Sequence, residues 1–238
     1  HRVDRRQRQM CIRDRHISSV KTKAKYSIAV PSIYLVQAKE ILDGIEVLAQ
    51  DAHYKAEGAF TGNVSWSQLK DCKIKGSIIG HSERRQMFNE TDETVNLKTK
   101  ALVENKMKSI LCIGETIDEY EDGRSFDVIW SQTEKALDGV SEEELKNVVI
   151  AYEPVWAIGT GKVPTGEEVN ELIRKLRNEL KNKYSEKAVD SLVVLYGGSV
   201  NDKNAIEFFA QENINGALVG SFCLNAENFV KLIELGGK

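Results

Sequence analysis

Residues 148–164 read VVIAYEPVWAIGTGKVP, and the rest of the chain can be read outward from them. Val148, Val149, Ile150, Ala151 and Tyr152 form an unbroken apolar run that ends on a carboxylate, Glu153. Continuous rather than alternating apolar character marks a strand buried on both faces, the habit of a parallel sheet covered by helices. Pro154 has no N–H to offer and stops the ladder at that point. The loop that follows has Val155 and Trp156 as apolar anchors and Gly159-Thr160-Gly161-Lys162 as its tip. Pro164 closes it, so two of the chain's three prolines bracket this loop. An ionisable residue at the end of a buried strand, beside a loop stiff at its edges, points to chemistry under a lid. Burial disfavours the charged carboxylate, raises its pKa and makes Glu153 a stronger general base.

The same rhythm recurs along the chain. Apolar runs at Tyr26–Val30, Ile45–Ala49, Ser77–Ile79, Ser109–Ile113, Leu192–Tyr196 and Ala217–Val219 each end in a glycine, a proline or a polar residue. Helical patterns alternate with them at Tyr34–Leu42, Ser65–Asp71, Asp92–Asn105 and Ser125–Leu137, then around Ala205, Ile206 and Phe209, and around Phe229, Leu232 and Ile233. After the lid, Val169, Leu172, Ile173, Leu176 and Leu180 fall on one 3.6-period face of a long helix. Seven βα units can be counted, which predicts an α/β fold with a parallel sheet. An open doubly wound sheet would gather its polar residues at one switch point. Here Gln50, His81, Glu115, Glu153, Gly197 and Gly220 end successive strands, as in a closed barrel whose strand ends converge on one site. The pattern therefore predicts a (β/α)8 barrel with one unit missing. Residues 16–238 number 223, short of the roughly 250 typical of that fold by about one βα unit.

Composition sets the outer limits. The chain is 41% hydrophobic and 29% charged, ordinary for a globular protein, and no apolar run approaches the length of a membrane span. Residues 1–15, HRVDRRQRQMCIRDR, hold six arginines and two aspartates, so the remainder carries a net −7. That acidic body argues against nucleic acid as the main partner. The Arg-rich segment reads as disordered or non-native, and residues 16–238 as one barrel domain. Cys11, Cys72, Cys112 and Cys223 show neither CxxC nor zinc spacing and read as free thiols in a reducing cytoplasm.

His81 lies between a buried strand and the Ser82-Glu83-Arg84-Arg85 turn that opens a helix. The positive end of that helix favours a neutral imidazole, which donates a hydrogen bond to a carbonyl and shuttles protons. Gly159-Thr160-Gly161-Lys162 fails the P-loop pattern, because Trp156 stands at the first glycine and Val163 follows the lysine. Gly197-Gly198-Ser199 and Gly220-Ser221 end the last two strands, where the loops of such a barrel bind phosphate through backbone N–H groups.

AYEPVWAIGTGK, IIGHSERR, CIGE, YGGSV and GALVG, in their order and spacing here, resemble the triosephosphate isomerase family. The resemblance runs from about residue 17 to the C-terminus. It implies a TIM barrel that interconverts dihydroxyacetone phosphate and glyceraldehyde 3-phosphate through an enediolate, with neither cofactor nor metal. By that resemblance Glu153 abstracts the proton beside the carbonyl and His81 polarises the oxygens. Gly159, Ser199, Gly220 and Ser221 bind the substrate phosphate, and the lid excludes the water that would let the enediolate lose it. Glu83 orients the active-site lysine and Cys112 sits behind the glutamate. GAFTGNVS resembles the family's dimer loop, with Thr61 reaching the partner of a homodimer. A cytoplasmic glycolytic enzyme with no nucleic-acid or membrane partner is implied.

The chain departs from the family pattern in several places. The family's first strand ends in an asparagine and a lysine that face the substrate, and nothing in residues 1–24 matches that motif. The first strand and most of the first helix are expected to be absent, with an unpaired sheet edge on each side of the gap. Weak turnover is then expected, since losing one preorganised donor costs about 10²–10³ in rate. A non-catalytic phosphate-binding or moonlighting barrel is the alternative reading. Ser221 replaces a common glycine, Asn63 a common glutamate, and Val163-Pro164 stiffens the second hinge of the lid.

Overall fold

A computed structural model describes residues 22–158 and 163–237. The Arg-rich residues 1–15, Lys21 and Gly159 lie outside the described residues. Seven strands, β1 (Ser27–Val30), β2 (Glu46–Ala49), β3 (Gly76–Ile79), β4 (Lys108–Ile113), β5 (Val148–Tyr152), β6 (Val193–Tyr196) and β7 (Gly216–Ala217), pair in parallel and in chain order. The connections carry α1 (Leu35–Ile41), α2 (Trp66–Asp71), α3 (Ser82–Met87), α4 (Asp92–Glu104), α5 (Ile117–Glu121), α6 (Ser125–Ala136) and α7 (Glu142–Leu145). After β5 come α8 (Gly166–Leu180), α9 (Glu186–Ser191), α10 (Ala205–Phe209) and α11 (Ala226–Gly236).

The α2, α4, α5, α7 and α8 helices each begin on a serine or threonine whose side chain accepts the N–H three residues on, with the reciprocal bond also made. Such boxes satisfy two of the orphan donors at a helix start and fix where each loop ends.

Both faces of the sheet are buried, which explains the unbroken apolar runs. Residues of one parity, Val47, Ile79, Leu111, Ile150 and Val194, pack outward in the core that holds Leu102, Ile129, Ile173 and Leu176 of the helices. Residues of the other parity, Leu48, Ile78, Ile110, Cys112 and Ala151, meet one another in a second, inner cluster with Ala29, Val149, Leu195 and Leu218. Inner contacts drawn from strands β1 to β6 require the sheet to curl on itself, as in the expected barrel. Among the described residues β1 and β7 each pair on one side only, so the sheet stands open between them. β7 is shorter than the sequence suggests, because only Gly216 and Ala217 find a partner, on β6. No helix of the described residues is long and apolar enough to cross a membrane.

Candidate active site

The inner parity of β5 runs through Val149 and Ala151, so the next residue on that face is Glu153, just past the strand end. Its backbone N–H donates to Ile113 O at 2.7 Å, which continues the β4–β5 ladder one step beyond the strand. The residue is 2% exposed. Its carboxylate accepts from the Ser82 N–H at 3.1 Å and lies 3.1 Å from His81 Nε2. The Cys112 thiol also donates to it. Burial pushes the Glu153 pKa up, against the opposing pull of the Ser82 N–H, the Cys112 thiol and the Arg85 charge. The same burial, with the Glu153 charge beside it, pushes the Cys112 thiol well above its ordinary value, so it stays protonated.

His81 is the N-cap of α3, and its Nδ1 accepts the Glu83 N–H at 3.3 Å. An accepting Nδ1 carries no proton, so the ring is neutral and the proton is on Nε2, facing Glu153. The cap thus fixes the tautomer as well as the ring. Gly80 makes the turn that delivers His81, with φ +73°, and its N–H donates to Glu90 Oε2 at 3.2 Å. Glu90 is held in turn by Lys98, which also reaches Asp51, while Arg84 bridges Asp51 at 2.9 Å. A mostly buried ionic network therefore lies directly under the His81 turn.

The lid base rests on a second carboxylate. Glu115 is fully buried, and its Oε1 accepts from Trp156 Nε1 at 2.8 Å, Tyr152 Oη at 3.0 Å and Ser125 Oγ at 3.2 Å. Trp156 sits in the 3₁₀ turn Val155–Ala157 that begins the lid, stacked on Tyr120 with ring centroids 4.1 Å apart. E115L should remove the acceptor that Trp156, Tyr152 and Ser125 share and cost about 3 kcal/mol, whereas E115Q keeps an acceptor and most of the stability. Chemical denaturation of both variants measures the difference; equal losses would overturn this account of the lid base.

The loops beyond β6 and β7 form the other wall. Ser199 Oγ donates to Ala157 O at 3.3 Å, tying the β6 loop to the lid base. Gly220 and Ser221 open a 3₁₀ turn, Ser221–Leu224, right after β7. His81, Glu153, Ser199, Gly220 and Ser221 all line one cavity of ≈ 1470 Å³ that opens between β1 and β7. Glu83 is on its rim, with its side chain 70% exposed, and no lysine among the described residues lies within ion-pair range of it. Lys23 and Lys25 precede β1 and so belong to the opposite end of the sheet from Glu153. Thr61 is exposed in the loop between β2 and α2. No group of three His, Cys, Asp or Glu side chains among the described residues could hold a metal ion. Sequence reasoning missed Ser82, whose backbone N–H rather than its side chain meets Glu153, and the role of Glu115.

Comparison with known proteins agrees with this geometry. A family model described as triosephosphate isomerase matches residues 5–236. A triosephosphate isomerase of Malacoplasma penetrans is 75% identical over 224 residues, covering 94% of this chain and 90% of the relative. One from Mycoplasmoides gallisepticum is 50% identical, covering 79% of this chain and 75% of its own. One from Thermoanaerobacter sp. strain X514 is 42% identical, covering 93% and 90%. With a buried glutamate and a neutral histidine meeting at the strand ends of a curled parallel sheet, the chain belongs to the triosephosphate isomerase family.

Proposed function

We propose that this chain interconverts dihydroxyacetone phosphate and glyceraldehyde 3-phosphate, moving a proton between adjacent carbons through an enediolate. The observation that carries the reading is the pair itself: a desolvated Glu153 carboxylate 3.1 Å from the Nε2–H of a neutral His81. Substrate entering the cavity would replace each as the other's partner. Glu153, released from His81 and the Ser82 N–H, takes the proton next to the carbonyl. His81 Nε2–H turns to the carbonyl oxygen and steadies the charge that develops there. Gly159, Ser199, Gly220 and Ser221 bind the phosphate, Glu83 takes a supporting part at the rim, and Thr61 reaches the active site of the partner copy.

Turnover of dihydroxyacetone phosphate in D₂O tests the reading. Product carrying solvent deuterium at the reacting carbon is expected. Product without it would remove the enediolate, and phosphate binding without turnover would remove the isomerase reading. The same assay addresses the expectation of weak turnover, which rests on residues largely outside the described ones.

The partner is a second copy of the chain. Phe60, Met87 and Phe88 are 37%, 70% and 65% exposed, large apolar side chains better accommodated in an interface than in water. Sedimentation should give twice 26.7 kDa; a monomer at micromolar concentration would refute it. The reducing cytoplasm suits the free thiols of Cys72 and Cys112, and a disulfide in the native protein would argue against that setting.

A further inference from the structure

In a parallel sheet the N–H and C=O of one residue face the same neighbouring strand, and those of the next residue face the opposite one. Around the end of β4, Ile113 O and Glu115 O face β5, accepting from Glu153 N at 2.7 Å and Val155 N at 3.1 Å. The backbone groups of Gly114 must therefore face the other way, toward β3. That strand has already ended at Ile79, and Gly80 turns the chain aside. The vacant ladder position is filled by a side chain. Gln132 of α6 accepts the Gly114 N–H on Oε1 at 2.8 Å and donates from Nε2 to Gly114 O at 3.1 Å. Its amide makes both bonds that a strand residue would make. One step back, Arg85 does the same for β4 in part, donating to Cys112 O and to Gly80 O.

Gly114 lies directly against the main chain of the base. A Cβ placed on it would come 1.8 Å from Glu153 O and 2.7 Å from Glu153 C. Any drift of Gly114 is thus transmitted to the backbone that carries the carboxylate. We propose that Gln132 is a positioning residue for Glu153, acting through a two-bond clamp on Gly114; this rests on the isomerase reading above. It touches no substrate. Its amide replaces the strand neighbour that β4 lacks at the level of the base, so the base is placed by a ladder rather than by a loose loop end.

The substitution Q132M removes both bonds at nearly constant volume, and Q132E keeps the acceptor for Gly114 N–H while losing the donor. Hydrogen exchange and steady-state kinetics on the full chain test the proposal together. In Q132M the Glu153 and Ser82 amides should exchange at least tenfold faster, with Leu111 and Ile150 unchanged. kcat should fall about ten- to a hundredfold with KM held within twofold, because the phosphate contacts come from other loops. Q132E should lie between Q132M and the parent. A purely structural role would speed exchange evenly along β4 and β5, and that result, or an unchanged kcat, overturns the proposal. If the parent chain shows no turnover, the isomerase reading fails. Exchange at Glu153 relative to Leu111 then decides alone whether Gln132 holds that backbone.

Discussion

E153Q is expected to lower kcat by about 10³-fold or more, the scale on which a positioned general base contributes, while substrate phosphate still binds. The amide has nearly the shape of the carboxylate but cannot take a proton. The pH dependence of the parent enzyme follows from the same group. Burial holds the Glu153 pKa above its ordinary 4.5, so kcat/KM should fall as pH drops through that raised value. Stability should move the other way. Between 4.5 and the raised pKa the folded chain binds more protons at Glu153 than the unfolded chain does. Stability therefore falls as pH rises through that window, by the linkage between proton binding and folding. E153Q has no such group, and its stability should be flatter across the same window. Denaturant titrations at several pH values, beside kcat/KM profiles, measure both limbs. A parent that gains stability over the window relative to E153Q would show that the carboxylate is held charged, not desolvated.

That Glu153 serves as base while Glu115 serves as anchor was only half legible in the sequence. Both carboxylates follow apolar runs, CIGE on β4 and AYE on β5, and nothing in either run says which way the side chain points. Register decides it. Ile113 pairs with Tyr152, both of the outward parity, so Glu153 is the next inward position and Glu115 the next outward one. The strands themselves were easy to read because burial on both faces leaves runs of Val, Ile and Leu, and Val148–Tyr152 was placed to the residue. Short helices were harder. α5 and α7 span 5 and 4 residues, too few for a period to show, although Thr116 with Glu119 and Ser141 with Glu144 spell their capping boxes. For α10 the sequence pattern rests on Ala205, Ile206 and Phe209, yet Ile206 is 56% exposed and Phe208, which the pattern does not use, is fully buried. Nothing in the sequence marks Gln132, since no sequence pattern reveals where a neighbouring strand stops short.

G114A is expected to be among the most damaging single-methyl changes in the chain. The added carbon would sit 1.8 Å from Glu153 O, and the listener on the other side is backbone, not a flexible side-chain tip. Neither partner is free to yield. Glu153 is tied to Ile113 O, and Gly114 is tied on its far side to Gln132. Overpacking of this kind costs about 1–3 kcal/mol where neighbours can shift and more where they cannot. A loss of about 3 kcal/mol would lower Tm by roughly 6–12 °C in a domain of this size. Turnover should fall further than stability, because the strain is released by displacing the base. G236A provides the contrast. A Cβ there meets nothing closer than 3.7 Å, and at the last residue of α11 alanine is favoured over glycine by up to about 0.5 kcal/mol, the low end of the helix-interior preference. The same substitution at two glycines should therefore shift Tm in opposite directions, read by thermal unfolding of both variants. A G114A chain with the parent's Tm and kcat would mean that the approach of β4 to Glu153 is looser than described, and the Gln132 clamp would lose its leverage with it.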